Sequence, residues 1–314
     1  MKNWTVGRLI VPAIVVLFSV FSLPPRLAQA QLFGQPDPNK ATTSRAAREN
    51  AIQSIPFEKL TRAGQVKATW VLRNTSVFRR MPIRLIQCDP ELYLFLVRHP
   101  DVVVNIWEVM GISHITMRQI SADRYQVNDD IGTIGGLEFL YRSNDTHIFY
   151  VDGTYKGSLF KQEIRGRGLL ILKTGFLKEP DGRTYITSRL DAFMNIEPGT
   201  VEFLTKTFQP AVGKVADGNF TQTAGFIACL QRTVEANNRG VQRLAGKLTK
   251  VAPELRQEFA ELSDRVAERS AKTPGSQMPL PERVLPRPVP VEPRIAQRPS
   301  QTDQAPPPDL EQPR

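Results

Sequence analysis

The sequence predicts an α+β protein in which an antiparallel sheet wraps around a long C-terminal helix, and two observations predict it. Apolar residues recur at steps of three and four between Pro198 and Asn237, the spacing of one face of a helix. Before that helix, six segments bounded by turn residues have the composition of strands. These segments are His114–Ile120, Arg124–Asn128, Gly132–Arg142, His147–Tyr155, Arg167–Leu177 and Arg183–Asn195. The helical stripe is broad enough to need a large apolar surface, and the strands supply one.

The N-terminal stretch has the pattern of an export signal. Lys2 and Arg8 precede the apolar run Leu9–Leu23, and small residues follow up to Ala30. This order predicts a secretory signal peptide cleaved after Ala30, and hence a protein of the periplasm or cell envelope. An uncleaved membrane anchor is the alternative, although the run is shorter than the roughly 18 to 20 apolar residues of a spanning helix. Residues 31–54 are polar and proline-containing, which predicts a flexible leader.

Residues 55–240 form the predicted domain, which begins with helices. One predicted helix face carries the apolar residues Phe57, Leu60, Ala63, Val66, Trp70 and Val71. Ile83–Ile86 is the first predicted strand, and Asp89-Pro90 opens a short helix because Asp caps free N–H groups and Pro suits the first turn. A second short helix spans 101–110. The short connections further along predict a meander of neighbouring strands. The alternation in Leu137–Arg142 predicts one buried and one solvated sheet face.

Two segments follow the long helix, in which Pro210 is expected to introduce a kink. Residues 241–271 carry a nearly heptad apolar stripe with charged residues on the other faces. This helical extension either packs back on the domain or forms a short coiled coil between subunits, which would make a homo-oligomer. Residues 272–314 contain 12 of the 25 prolines and few aromatic residues, a composition that predicts a disordered tail.

The net charge of +10 is spread along the chain. Residues 1–30 contribute +3 and the central 55–240 about +4, without a dense basic block. A nucleic-acid surface would concentrate its basic residues on one face, so we exclude nucleic acid as a partner. Weak attraction to anionic envelope components is compatible with this charge. The pair Arg79-Arg80 is typical of a solvated surface, with an anion site as the alternative.

The candidate chemistry is sparse. His99, His114 and His147 lie far apart in sequence and match no metal-binding spacing, and no nucleotide or cofactor fingerprint is present. Ser-based hydrolysis lacks its nucleophile-elbow motif. Cys88 and Cys229 are the only cysteines. They either form a disulfide, which an oxidising compartment would permit, or are two buried free thiols.

Residues 77–237 resemble the helix-grip fold of the START and polyketide-cyclase-like superfamily, known as SRPBCC. Asp89-Pro90 after the first strand and the Pro100-to-Trp107 stretch before the sheet carry the resemblance, together with the element order. It implies a deep apolar cavity between a curved sheet and the long helix, but no catalytic residues. The whole chain is also similar to uncharacterised secreted proteins of envelope-rich bacteria. Candidate cavity-lining residues are Trp107, His114, Phe139, Tyr141, Phe149, Tyr155 and Phe220, with core packing as the alternative for each.

These features lead to three functional hypotheses. The first is an exported, non-enzymatic binding or structural protein that holds an apolar small molecule or lipid between the sheet and the long helix. The second is a cyclase-like or hydrolytic enzyme that uses the same cavity. The third is an envelope scaffold that oligomerises through residues 241–271. The absence of catalytic motifs favours the first.

Overall fold

A computed structural model describes residues 37, 39–156, 163–180, 182–197 and 209–272, with side chains of the last range from Gly213 onward. The predicted signal peptide, the first part of the leader and the proline-rich tail from residue 273 lie outside the described residues. So does the predicted start of the long helix, residues 198–208.

An eight-stranded antiparallel sheet is the centre of the fold. In chain order the strands are β1 Val77–Arg80, β2 Arg84–Gln87, β3 Thr116–Ser121, β4 Arg124–Asn128, β5 Thr133–Arg142, β6 Thr146–Tyr155, β7 Ile164–Lys178 and β8 Thr184–Ile196. Their spatial order is β1-β8-β7-β6-β5-β4-β3, and β2 also pairs with β8. Strands β3 to β8 are therefore the predicted meander. Strands β1 and β2 follow one another along the same edge of the sheet, separated by the Pro82 segment.

The helices are placed as in a helix-grip fold. They are α1 Arg45–Gln53, α2 Arg62–Arg73, α3 Pro90–Arg98, α4 Pro100–Val109, α5 Gln209–Ala236, α6 Asn238–Gly246 and α7 Pro253–Ala271, with a 3-10 turn at Phe57–Lys59. Helices α3 and α4 lie between β2 and β3 in sequence, and α5 follows β8. The α+β helix-grip architecture predicted from the sequence is confirmed. None of the described helices combines the length and apolar character needed to cross a bilayer.

Local chemistry explains the start of α3. The Asp89 carboxylate accepts hydrogen bonds from the backbone N–H groups of Glu91 (2.9 Å) and Leu92 (3.4 Å), as expected for the Asp-Pro opening of α3. Pro210 is the second described residue of α5. Because residues 198–208 are not described, the kink predicted at Pro210 stays a prediction.

The sheet is buried on both faces over much of its area. Leu170 and Leu172 of β7 belong to the core that the concave face forms with α3 to α7. Leu169 and Ile171, at the alternate positions, belong to a second core beneath α1 and α2 on the convex face. The prediction of one solvated face was wrong over this area, because the two N-terminal helices cover it.

Helix α1 lies within the stretch predicted to be a flexible leader. The Ser44 hydroxyl caps it by accepting a hydrogen bond from the backbone N–H of Ala47 (3.2 Å). Ala47 and Ala51, one turn apart, are its buried residues. Because its contact face consists of small side chains, the apolar periodicity of this stretch is weak. The flexible-leader prediction is corrected for these residues.

Helix α2 buries a different face from the predicted one. Gly64, Ala68 and Val71 are buried, whereas Val66 is 61% and Trp70 37% exposed. A Cβ on Gly64 would lie 3.8 Å from the Leu140 Cβ, so the helix approaches β5 closely through small residues. The close approach determines which face is buried, and it leaves Val66 and Trp70 pointing outward while Val71 is buried.

Residues 241–271 pack back on the domain. Phe259, Leu262 and Val266 of α7 are buried in the concave core. The Phe259 ring stacks on Phe95 of α3 with a centroid distance of 6.0 Å. The apolar stripe proposed for a coiled coil between subunits is thus used within the chain. Self-association through other surfaces of this segment stays a prediction.

Candidate functional site

An aromatic cluster lies on the concave face, where β4, β5 and β6 meet α3 and α4. Phe139 of β5 is paired with Phe149 of β6, and their ring centroids are 4.6 Å apart. Tyr125 of β4 approaches Phe139 edge-on at 6.1 Å. Side chains at alternate strand positions share a face, so these rings form one continuous apolar surface.

His147 is the buried polar residue of this cluster. It lies two positions before Phe149 on β6, with ring centroids 6.4 Å from Phe149 and 6.5 Å from Phe139. The side chain is fully buried, and neither ring nitrogen has a hydrogen-bond partner among the described residues. Burial, followed by the charges of Arg98 and Arg142, lowers the pKa of His147 to about 4. The imidazole is therefore neutral at pH 7, with one donor and one acceptor nitrogen.

A β-bulge brings Arg142 beside His147. Strand β5 shifts register between Phe139 and Tyr141, so Arg142 pairs with His147 and faces the concave side. Its guanidinium carbon lies 3.7 Å from the Phe139 ring centroid. One terminal nitrogen is 3.1 Å from the Asp123 carboxylate, while the buried Nε has no partner among the described residues. A cation with an unused donor thus stands at the edge of the aromatic cluster.

The junction of α3 and α4 closes the same end of the concave face. The His99 ring lies 4.8 Å from the Phe95 ring in a tilted arrangement, and its buried Nδ1 has no partner in the described part of the chain. Burial, followed by the charges of Arg142 and Arg98, lowers the pKa of His99 to about 4. Asp101 is 3% exposed, and burial raises the pKa of its carboxyl group. The same two arginines thus lower the pKa of His99 at this junction and of His147 on β6.

Further unpaired donors lie along one flank of α5. The Trp107 ring of α4 meets Phe226 edge-on at 5.6 Å. Asn219 lies seven residues before Phe226, about two turns away on the same flank. Both Trp107 Nε1 and Asn219 Nδ2 are buried without a partner among the described side chains and backbone groups. Phe220 is only partly buried against this core. The two N–H groups are therefore separate buried donors, one on α4 at Phe226 and the other about two turns earlier on α5.

The structure brings four of the seven predicted cavity residues to the concave side: Trp107, Phe139, Phe149 and Phe220. His114 is exposed in the connection from α4 to β3, outside this core. Tyr141 belongs to the convex core because the bulge reverses its side chain. Tyr155 is buried near the far end of β6 but belongs to neither core cluster.

Sequence reasoning missed His147 as a site residue. His147 and Phe149 lie two residues apart on a predicted strand, so the sequence already indicated that their side chains share one face. The absence of hydrogen-bond partners was not available, because it depends on every element packed against the imidazole.

Of the two alternatives for Cys88 and Cys229, the disulfide is not formed, and the prediction of buried free thiols holds for Cys88 only. Both cysteines are free, Cys88 buried and Cys229 exposed. Gln231, and not Cys229, faces Cys88: its Oε1 lies 3.6 Å from the Cys88 Sγ and accepts a hydrogen bond from the Asp89 N–H at 2.9 Å. Two residues along a helix differ by about 200°, so Cys229 points away. Burial, followed by the carboxylates of Asp89 and Glu235, raises the pKa of the Cys88 thiol.

A cleft of about 450 Å³ opens next to the aromatic cluster, beside the turn between β3 and β4. Phe139 and Arg142 contribute to its wall, together with Thr61, Ser121, Asp123, Arg124, Glu138, Leu140 and Tyr141. In this cleft, Glu138 Oε2 forms a salt bridge with Lys67 Nζ at 2.6 Å and lies 3.4 Å from Arg124 Nε. The cleft charges are thus largely paired, and the cleft adjoins the concave site through Phe139 and Arg142.

The pair Arg79-Arg80 makes ion pairs within the domain. Arg79 donates to both oxygens of Asp217 on α5, one at 2.8 Å. Arg80 donates to both oxygens of the fully buried Asp191 at 2.6 and 3.0 Å. Both guanidinium groups therefore hold the edge strand in place, which corrects the solvated-surface interpretation and does not support an anion site. Among the described residues, no group of three or more His, Cys, Asp or Glu side chains is arranged to hold a metal ion.

Comparisons with known proteins add structural similarity only. No protein-family model matches the chain, and no curated protein matches its sequence. Among solved structures it is similar to a conserved protein from Geobacillus kaustophilus, with 11% identity and a TM-score of 0.36 over 48% of this chain and 93% of that one. It is similar to Ara h 8.0201, with 11% identity and a TM-score of 0.26 over 45% of this chain and 96% of that one. For dicamba monooxygenase bound to dicamba, the identity is 10% and the TM-score 0.31, over 70% and 65% of the two chains. The fold assignment rests on strand order and helix placement.

Proposed function

We propose that this protein is an exported, non-enzymatic binding protein that holds an apolar molecule with a polar, oxygen-containing end on the concave face, between the sheet and the helices packed on it. The observation that supports it most is the fully buried His147 imidazole, which has no hydrogen-bond partner among the described residues. Leaving a buried polar group unpaired costs about 1–3 kcal/mol, and a ligand hydroxyl or carboxyl group would remove that cost. Export rests on the signal-like pattern around Leu9–Leu23.

The surrounding residues suggest how such a molecule would be oriented. Its polar end would contact His147 and the Arg142 guanidinium, whose positive charge favours a carboxylate. Its apolar body would lie along Phe139 and Phe149. Ligand sites of this kind are lined by apolar and aromatic side chains with a few placed polar groups.

Binding is favoured over catalysis by the state of the histidines. A histidine that acts as a general base is normally oriented by a third group bonded to its second nitrogen. Among the described residues no carboxylate bonds to His147 or to the buried Nδ1 of His99. Both imidazoles therefore lack the orienting partner that the enzyme hypothesis requires.

The test combines identification of a bound molecule with a matched pair of variants. Compounds extracted from the natively purified protein are analysed by mass spectrometry, and a fluorescent long-chain fatty acid is titrated into the wild type, His147→Phe and His114→Phe. We expect a co-purifying apolar acid or alcohol, and weaker binding of the probe to His147→Phe only. His114 is exposed, so its variant serves as the control. Equal affinity of all three proteins for the probe, with no co-purifying apolar compound, would contradict the proposal.

A further inference from the structure

The outer face of α2 carries an apolar stripe that no described element covers. Ala63, Val66 and Trp70 follow one another at steps of three and four, and all three are exposed, Val66 by 61% and Trp70 by 37%. The opposite face, with Gly64 and Ala68, already holds the helix on the sheet. Val66 and Trp70 therefore lie outside the contact that holds α2 on the sheet.

Arginine side chains surround this stripe. Arg62 and Arg73 are exposed at the two ends of α2, and neither makes a salt bridge with a described residue. The Arg167 guanidinium from β7 stacks over the Trp70 ring at 4.5 Å, and Arg165 is 63% exposed on the same face of the same strand. Of the neighbouring carboxylates, Glu163 is paired with Arg165 at 2.9 Å, and Asp152 of β6 is the register partner of Arg167. The surface thus combines an aromatic and an aliphatic side chain with a cationic rim.

We propose that this α2 surface, defined by Ala63, Val66, Trp70 and the rim Arg62, Arg73 and Arg167, docks on a lipid surface with anionic headgroups. Val66 and Trp70 would enter the interface between headgroups and acyl chains, where an amphipathic indole ring is favoured. The arginines would remain at the level of the headgroups and bind their phosphates. The proposal does not depend on ligand binding in the concave site.

A lipid surface fits this stripe better than the other occupants do. A soluble polyanion would use the arginines but gain nothing from Val66 and Trp70. A stable protein–protein contact buries about 800 Å² on each partner, more than one short helix face of three apolar residues offers. Shallow insertion into a lipid surface requires only a few apolar side chains supported by basic ones.

The experiment measures how deeply a label at a single position enters the lipid bilayer, so that it reports on this surface alone. A nitroxide label is attached at Val66→Cys in the full chain carrying Cys229→Ser; Cys88 is buried and stays unlabelled. Collision rates with oxygen and with a water-soluble nickel chelate are measured with vesicles of phosphatidylcholine, with and without phosphatidylglycerol. A label at Leu85→Cys, 58% exposed on the sheet edge, is the matched control.

We expect the ratio of oxygen to nickel collisions at position 66 to rise several-fold on phosphatidylglycerol vesicles, and to remain unchanged at position 85. Replacing Arg62 or Arg73 by Gln should weaken vesicle binding about fivefold for each arginine, measured by the lipid concentration at half-maximal change. A label at position 66 that stays in water on anionic vesicles would overturn the proposal. So would immobilisation of that label by soluble polyphosphate but not by vesicles, since this would assign the surface to a polyanion.

Discussion

At the scale of residues, several buried polar atoms on the concave side have no partner in the described part of the chain. His147, Trp107 and Asn219 are each buried with at least one nitrogen lacking a partner among the described residues. The buried Tyr93 hydroxyl of α3, by contrast, donates to Ser188 Oγ at 3.1 Å. Since an apolar replacement would avoid the desolvation cost, unpaired groups indicate a role other than stability.

His147→Phe should make the protein more stable. The phenyl ring would pack beside Phe139 and Phe149 in place of a buried imidazole that has no partner among the described residues. We therefore expect a gain of about 1–3 kcal/mol in the free energy of unfolding at pH 7. Urea unfolding, monitored by circular dichroism, measures this change in the free energy of unfolding. His114→Phe, at an exposed position, should change stability by less than about 0.5 kcal/mol. A clear destabilisation by His147→Phe would show that the imidazole has a structural partner in solution.

The stability of the fold should decrease as the pH is lowered from about 6.5 to about 4. The pKa values of His99 and His147 are about 4 when folded and about 6.5 in an unfolded chain, so the unfolded chain binds more protons in this range. Above pH 6.5 these two groups contribute no pH dependence. Asp101 acts in the opposite direction, because burial raises its pKa in the folded state. Urea unfolding at pH 7 and pH 4.5 measures the difference, which should be smaller in His147→Phe; an equal difference in both proteins would contradict the assignment to His147.

At the scale of elements, the helices outside the predicted helix-grip order complete two cores. Helices α1 and α2 cover the convex face, and α6 and α7 cover the concave core from the side of α3 and α5. Arg269 near the end of α7 bonds to Asp89 and Glu91 at the start of α3, at 3.1 and 3.0 Å. Residues 241–271 are therefore part of the domain and not an appendage.

Phe259→Ala should test whether α7 is integral to the domain. The ring is fully buried and stacks on Phe95, so its removal should lower the free energy of unfolding by about 3–5 kcal/mol. Thermal or urea unfolding measures the change. Gln257→Ala, on the exposed face of the same helix, should have an effect within about 0.5 kcal/mol. Similar small effects of both substitutions would mean that α7 detaches from the domain in solution.

At the scale of the whole molecule, the sheet separates two surfaces with different proposed partners. The concave side would hold a small apolar molecule between β5, β6 and the helices, and α2 on the convex side would contact an anionic lipid surface. Both roles suit a protein of the cell envelope, for which the net charge of +10 is compatible with anionic surroundings.

Export should be visible in the mass of the protein. Expressed in a bacterium with a secretion pathway, the chain should be found in the periplasmic fraction with its N-terminus at Gln31, because cleavage is predicted after Ala30. Intact-mass spectrometry of the fraction measures this. Replacing Leu17 by Arg within the apolar run should keep the full-length chain in the cytoplasm. A full-length chain in the membrane fraction would instead support the anchor alternative.

The sequence by itself determined the type and order of the main elements. Turn residues and strand composition identified β3 to β8, the Asp89-Pro90 pair identified the start of α3, and apolar spacing identified α5 and the 241–271 helices. These features are local, because caps, turns and periodicity depend on neighbours within a few residues. Helix α1 was not predicted, because its buried residues Ala47 and Ala51 are small and produce little apolar periodicity.

Tertiary structure alone decided which side chains meet. The β5 bulge turned Tyr141 to the convex face and brought Arg142 to His147, and the helical phase of α5 placed Gln231 against Cys88. The close approach of Gly64 to the sheet left Val66 and Trp70 exposed. Each outcome depends on a contact between residues far apart in sequence, and periodicity within one element does not specify what lies opposite it. The candidate site and the lipid-facing surface both follow from such contacts.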